Sequence, residues 1–162
     1  MSNPRELRCY DYVAVPYDRV RDLLQKDAAS LFQRSTQSAS SRAAELVATL
    51  QVGVGPLQIG SDVRISLGEL AETTSALGDR RTALPIGWTT ARGAGLFPAM
   101  EATLHAYPLS AHETQLDLEG HYRPPLGALG SAADALLGHR IAQASVLRFL
   151  HEVAAHLTAA AR

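Results

Sequence analysis

The chain has 162 residues, 46% hydrophobic and 19% charged, the composition of an ordinary globule able to bury roughly two thirds of its unfolded surface. Fifteen basic against sixteen acidic side chains leave a net charge of −1, which offers no electrostatic handle to a phosphate backbone or an anionic membrane. Collagen-like, disulfide-scaffold and largely disordered classes are excluded, and nucleic acid is not expected as a partner.

One cysteine permits no intrachain disulfide. No apolar stretch reaches the roughly 18 residues of a membrane helix, so integral membrane association is not expected. The start, MSNPREL, lacks the basic and apolar runs of a secretory signal, and the cytoplasm is the expected compartment. A single domain over 1–162 is expected.

In chain order, residues 6–15 are rich in β-branched and aromatic types, with Leu7, Cys9, Val13 and Val15 of one parity, and predict a first strand. Pro16 then suits a helix start, and Val20, Leu23 and Leu24 carry an apolar stripe to about Gln25. Residues 27–42 begin as a second short helix around Leu31 and Phe32 and decay into Ser-rich sequence, predicting a mobile loop. Leu46, Ala48, Leu50 and Val52 alternate with polar residues and predict a strand, GVGPLQIG a turn, and Val63, Ile65 and Leu67 a further strand. Leu77-Gly78-Asp79-Arg80 signals a hairpin into a strand with Leu84, Ile86 and Trp88 on one face, in which Pro85 requires an edge or a bulge. After the flexible ARGAG, Met100, Ala102, Leu104 and Ala106 alternate, and then Leu116, Leu118, Gly120 and Tyr122.

The last segment changes period. Following Pro124-Pro125, Ser131 is placed to cap a helix, and Leu136, Leu137, Ile141, Ala144, Leu147, Leu150, Ala154 and Leu157 recur at helical spacing. Such a helix, about 42 Å long at 1.5 Å per residue, is long enough to cover most of the apolar sheet face by itself.

A strand, one or two short helices, antiparallel strands and a long final helix are the order of an α+β helix-grip fold. In that fold a curved antiparallel sheet of about six or seven strands wraps a long C-terminal helix. The chain resembles the START-like SRPBCC superfamily, which includes polyketide cyclase-like and lipid-binding proteins. The residues carrying the resemblance are Val15-Pro16 before Val20-Arg21-Asp22-Leu23-Leu24, then Ala94-Gly95-Leu96-Phe97-Pro98, then Gly120-His121-Tyr122-Arg123-Pro124-Pro125-Leu126-Gly127. These motifs are structural, and none is catalytic. The resemblance implies a cavity between the inner sheet face and the long helix that holds an apolar or amphipathic small molecule.

Within that expectation the inner-face residues Trp88, Met100, Leu104, Leu118 and Tyr122 are candidates for ligand contact, although for the aliphatic members simple core packing is favoured. Trp88 and Tyr122 stand out because each joins an apolar body to a polar tip that seeks a partner when buried. Glu69 keeps the inward parity of Val63, Ile65 and Leu67, so an unbroken strand would aim its carboxylate into the cavity. A bulge at Gly68 would instead turn Glu69 out and Leu70 in, and the bulge is favoured. Arg123, at the end of the last strand, could meet an anionic head group or a neighbouring carboxylate.

Other chemistries find little support. His151 and His156 lie five apart, about 140° around a helix, and cannot share an ion as a pair four apart would. His105, His121 and His139 have no ligand partner at metal spacing. GVGPLQIG lacks a following Lys-Ser/Thr, and Cys9 sits among apolar residues as an inert thiol. No cofactor or metal is expected. A non-catalytic pocket protein for a lipid-, polyketide- or isoprenoid-type molecule is preferred. The alternatives are an aromatase, cyclase or dehydratase using Glu69, Trp88, Tyr122 and Arg123, and an interaction module with a vestigial cavity. A homodimer is left open.

Overall fold

Alternation of apolar and polar residues builds the sheet, because it lets one face of each strand meet the core while the other meets water. The computed structural model describes residues 4–49, 63–90, 99–123 and 133–162. Its elements are β1 (Arg5–Val13), α1 (Tyr17–Thr49), β2 (Val63–Leu67), β3 (Ala71–Thr74), β4 (Arg80–Thr90), β5 (Ala99–Pro108), β6 (Thr114–Arg123) and α2 (Ala133–Ala160). All strand pairs are antiparallel, in the order β1-β6-β5-β4-β2 with β3 also on β4. This is the α+β helix-grip arrangement.

The strands before and after the central hairpin follow the alternation closely. Gly78, at φ +86°, supplies the left-handed residue of the turn between β3 and β4, a conformation that other side chains resist. Between the pairs Leu67↔Ile86 and Ala71↔Ala83 the register advances by one residue, so β2 and β3 are separated by a bulge. Pro85 lies opposite it and accepts from the Gly68 N–H at 2.8 Å. Backbone N and C=O of one strand residue point the same way, so the donor that proline lacks falls where the ladder is already broken.

Two helical expectations are corrected. The Ser-rich stretch is not a loop, and 46–49 is not strand: α1 runs to Thr49, interrupted only at Asp27 (φ −148°, ψ 35°). Ser35 and Thr36 donate back to the Leu31 and Phe32 carbonyls at 2.9 and 2.7 Å, which satisfies their hydroxyls inside a helix. Leu31, Phe32, Ser35, Thr36 and Ala39 are all buried, a helical stripe in which small polar residues stand at apolar positions. In consequence α2 does not cover the apolar face alone. Phe32 of α1 and Phe149 of α2 meet with ring centroids 5.8 Å apart, and Phe149 reaches Trp88 of the sheet at 4.9 Å. Leu50 to Val52, GVGPLQIG, ARGAG, residues 94–98 and the Pro124 to Ser131 segment lie outside the described residues.

Cys9 is half-buried on the inner side of β1. Burial first, and then the nearby Asp117 and Asp11 carboxylates, push its thiol from 9.0 up to about 12. The folded state therefore favours the neutral thiol, and the stability linked to it is fully present below pH 9 and lost as pH rises toward 12. At pH 8 an aromatic disulfide reagent should label Cys9 at least about a hundredfold more slowly in the folded protein than in urea. Equal rates would place the thiol in solvent.

Candidate functional site

Register turns the inner sheet face into three cross-strand rows. Trp88, Met100, Tyr122 and Arg5 are successive partners on β4, β5, β6 and β1. Two residues along, Ile86, Ala102, Gly120 and Leu7 form a second row, and beyond it stand Leu84, Leu104, Leu118 and Cys9. The middle row is small at its centre. Three of the residues singled out from sequence, Trp88, Met100 and Tyr122, thus lie side by side, and all are buried.

Leu104 and Leu118 are fully buried partners in the third row, inside the continuous core. Arg123 ends β6 beside this array and is exposed. Glu69 is not brought to it. The bulge leaves Glu69 exposed beyond β4, while Leu70 packs on the core.

The first row changes chemistry along its length, from indole through thioether and phenol to guanidinium. At the phenol it meets α2: the Tyr122 hydroxyl lies 2.6 Å from Nδ1 of His139. Burial raises the Tyr122 pKa and the Arg5 guanidinium opposes that rise, so a neutral phenol shares the hydrogen bond with the imidazole. Arg5 and His139 were not among the sequence candidates. The signal for His139 was its helical spacing, with Ala142 and Val146 three and seven positions on; Arg5 shares the parity of Leu7.

A recess of about 390 Å³ lies at this end of the sheet on its outward face, lined by Pro4, Thr89, Ala99, Glu101, His121 and Arg123, with the buried Trp88 and Met100 bordering it from behind. Its volume is in the range of small-molecule sites. Arg123 forms no ion pair with any described residue. A second, wider recess of about 720 Å³ lies on the outward face, with Glu6, Arg8, Glu101, Thr103, Glu119 and His121 around a floor of Leu7, Ala102 and Gly120.

That outward face also carries a chain of charged and polar contacts across four strands. Arg81 Nε donates to His105 Nδ1 at 3.0 Å, and His105 Nε2 donates to Glu119 at 3.2 Å. Burial, followed by the Arg81 charge, holds the His105 pKa below its usual value, which agrees with a neutral ring accepting on one side and donating on the other. Arg8 forms two hydrogen bonds to Asp117, whose side chain is 2% exposed, and reaches Glu119 at 3.9 Å. These side chains are committed to one another. Among the described residues no three His, Cys, Asp or Glu side chains are grouped to hold a metal ion, and no helix is long and apolar enough to cross a membrane.

No family model and no curated protein matches the chain. Solved structures with similar backbones include the Zhui aromatase/cyclase from Streptomyces sp. R1128, at 14% identity over 99% of this chain and 97% of that one, TM-score 0.43. TTHA0849 from Thermus thermophilus matches at 16% identity over 98% and 100%, TM-score 0.46. Norcoclaurine synthase from Thalictrum flavum, in complex with dopamine and hydroxybenzaldehyde, matches at 10% over 99% and 89%, TM-score 0.40.

Proposed function

We propose that the protein binds a hydrophobic or amphipathic small molecule at the end of the sheet, its apolar part against Trp88 and Met100 and its polar end toward Tyr122 and His139. The observation that carries this reading is the cross-strand row itself. A buried apolar row, Trp88 and Met100, ends on a polar pair 2.6 Å apart where the sheet meets α2. Leu104 and Leu118 support the floor of the site from within the core, and Arg123 stands at the same strand end on the outward face. Glu69 has no part in it.

Trp88 is the sole tryptophan and is 1% exposed, so its emission reports on this site alone. Titration with a medium-chain amphiphile should shift that emission saturably, and native mass spectrometry of protein from its own host should find a co-purifying lipid-like mass. Tyr122→Phe should weaken binding about tenfold, the value of one hydrogen bond to a polar head. Spectra without added mass, together with no saturable shift for any amphiphile, would overturn the reading.

A second reading takes the Tyr122–His139 pair as a proton-transfer couple, since a short bond between a phenol and an imidazole suits acid–base work on an enclosed substrate. It is separable from pure binding. His139→Ala would then lower turnover of a cyclising substrate by far more than it weakens the Trp88 response to that substrate.

A further inference from the structure

We propose a second site, on the outward face of the sheet, where a small zwitterion, an amino acid or a short peptide, is held by its carboxylate on Arg123 and by its ammonium on Glu101. The site lies on the opposite side of the strands from the Trp88–Met100–Tyr122 row and goes beyond the binding reading given for that row. The recesses of about 390 and 720 Å³ share Glu101 and His121, so they adjoin along these two side chains, and each is in the size range of small-molecule sites.

Among the described residues the charges around this double recess are paired off, with two exceptions. Arg8 forms two hydrogen bonds to Asp117, and Glu119 has His105 at 3.2 Å and Arg8 at 3.9 Å. Glu6 and His121 face each other at 3.9 Å. Arg123 and Glu101 remain, and neither forms an ion pair with a described residue. Register sets Ala99 opposite Arg123 and Glu101 opposite His121, so the two unpaired charges are diagonal neighbours on β6 and β5, about 7–8 Å apart at their Cα atoms. Both are exposed, and both line the narrower recess without closing on each other. A guanidinium suits a carboxylate, which it holds through two parallel N–H bonds, and a carboxylate suits an ammonium. A molecule with only one of these charges would meet one partner and one like charge here, whereas a zwitterion satisfies both. Its side chain or second residue then extends past Glu101 into the wider recess, over the floor of Leu7, Ala102 and Gly120.

The test is a set of amide NMR titrations near neutral pH with leucine, glycyl-leucine, N-acetyl-leucine, which keeps only the carboxylate, and leucine amide, which keeps only the ammonium. Leucine or glycyl-leucine should shift the backbone amides of Glu101, His121 and Arg123 saturably and bind about tenfold or more tightly than either blocked form, as expected for one further charge-assisted bond. Which of the two binds more tightly separates an amino-acid ligand from a peptide one. Arg123→Gln should remove the preference over leucine amide, and Glu101→Gln the preference over N-acetyl-leucine. Both positions are exposed, so neither change threatens the fold. Glu6→Gln should keep both preferences, because Glu6 faces His121 and lines only the wider recess. No saturable shift with any probe, equal affinity for blocked and unblocked forms, preferences that survive Arg123→Gln and Glu101→Gln, or preferences that vanish in Glu6→Gln would each overturn the site. Amphiphile binding read at Trp88, on the other face, stands or falls by its own titration.

Discussion

Gly120→Ala is expected to cost about 3 kcal/mol of folding free energy, at the upper end of the range for an overpacked core. The alanine methyl would come within 2.5 Å of the Ala102 Cα and 2.6 Å of its Cβ, and would also fall against the Glu101 carbonyl. These atoms belong to β5, which is hydrogen-bonded to β4 on one side and β6 on the other and has little freedom to retreat. Gly87→Ala makes the matching control. Its methyl would meet the Ser66 hydroxyl, the end of a side chain that can rotate away, and should cost much less. Urea denaturation of the two variants checks the contrast, and a Gly120→Ala loss below about 1 kcal/mol would mean that the two strands separate easily.

Phe149→Ala should remove about 4 kcal/mol, the usual cost of deleting a buried aromatic ring. Phe149 is fully buried and is the one side chain described in ring contact with both Phe32 and Trp88, so it joins α1, α2 and the sheet. Its loss should also move Trp88 emission to longer wavelength, because water or a more mobile packing would reach an indole that is now enclosed. Thermal unfolding followed by tryptophan emission reads both effects together. A destabilised variant with unchanged emission would show that the contact to Trp88 is not what excludes solvent there.

Much of the sheet was legible because its strands are buried on one face only, and a period of two survives in such strands. Met100 to Tyr107 and Leu116 to Arg123 show it, and their elements lie where the alternation places them. The bulge at Gly68 was legible for another reason: glycine and proline mark the positions where a ladder can break. α1 was misread because serine carries two meanings. In a loop it competes for the backbone, and in a helix it folds back on the carbonyl four residues earlier, as Ser35 and Ser145 do at 2.9 and 2.6 Å.

The candidate site divided in the same way. Parity along each strand sufficed to put Trp88, Met100 and Tyr122 on the inward face, since it depends only on neighbours in the chain. That they share one row, with Arg5 at its end and His139 across from it, depends on register and on the approach of α2, which are set by contacts between residues far apart in the chain. The position of Glu69 turned on a single inserted residue, which glycine and proline favoured locally and the register of β2 and β3 on β4 fixes. The amino-acid sequence by itself thus determined which residues face the core and where the backbone turns. Only the tertiary structure decided which of them meet, because a meeting is the outcome of many weak long-range contacts acting together and is written in no local period.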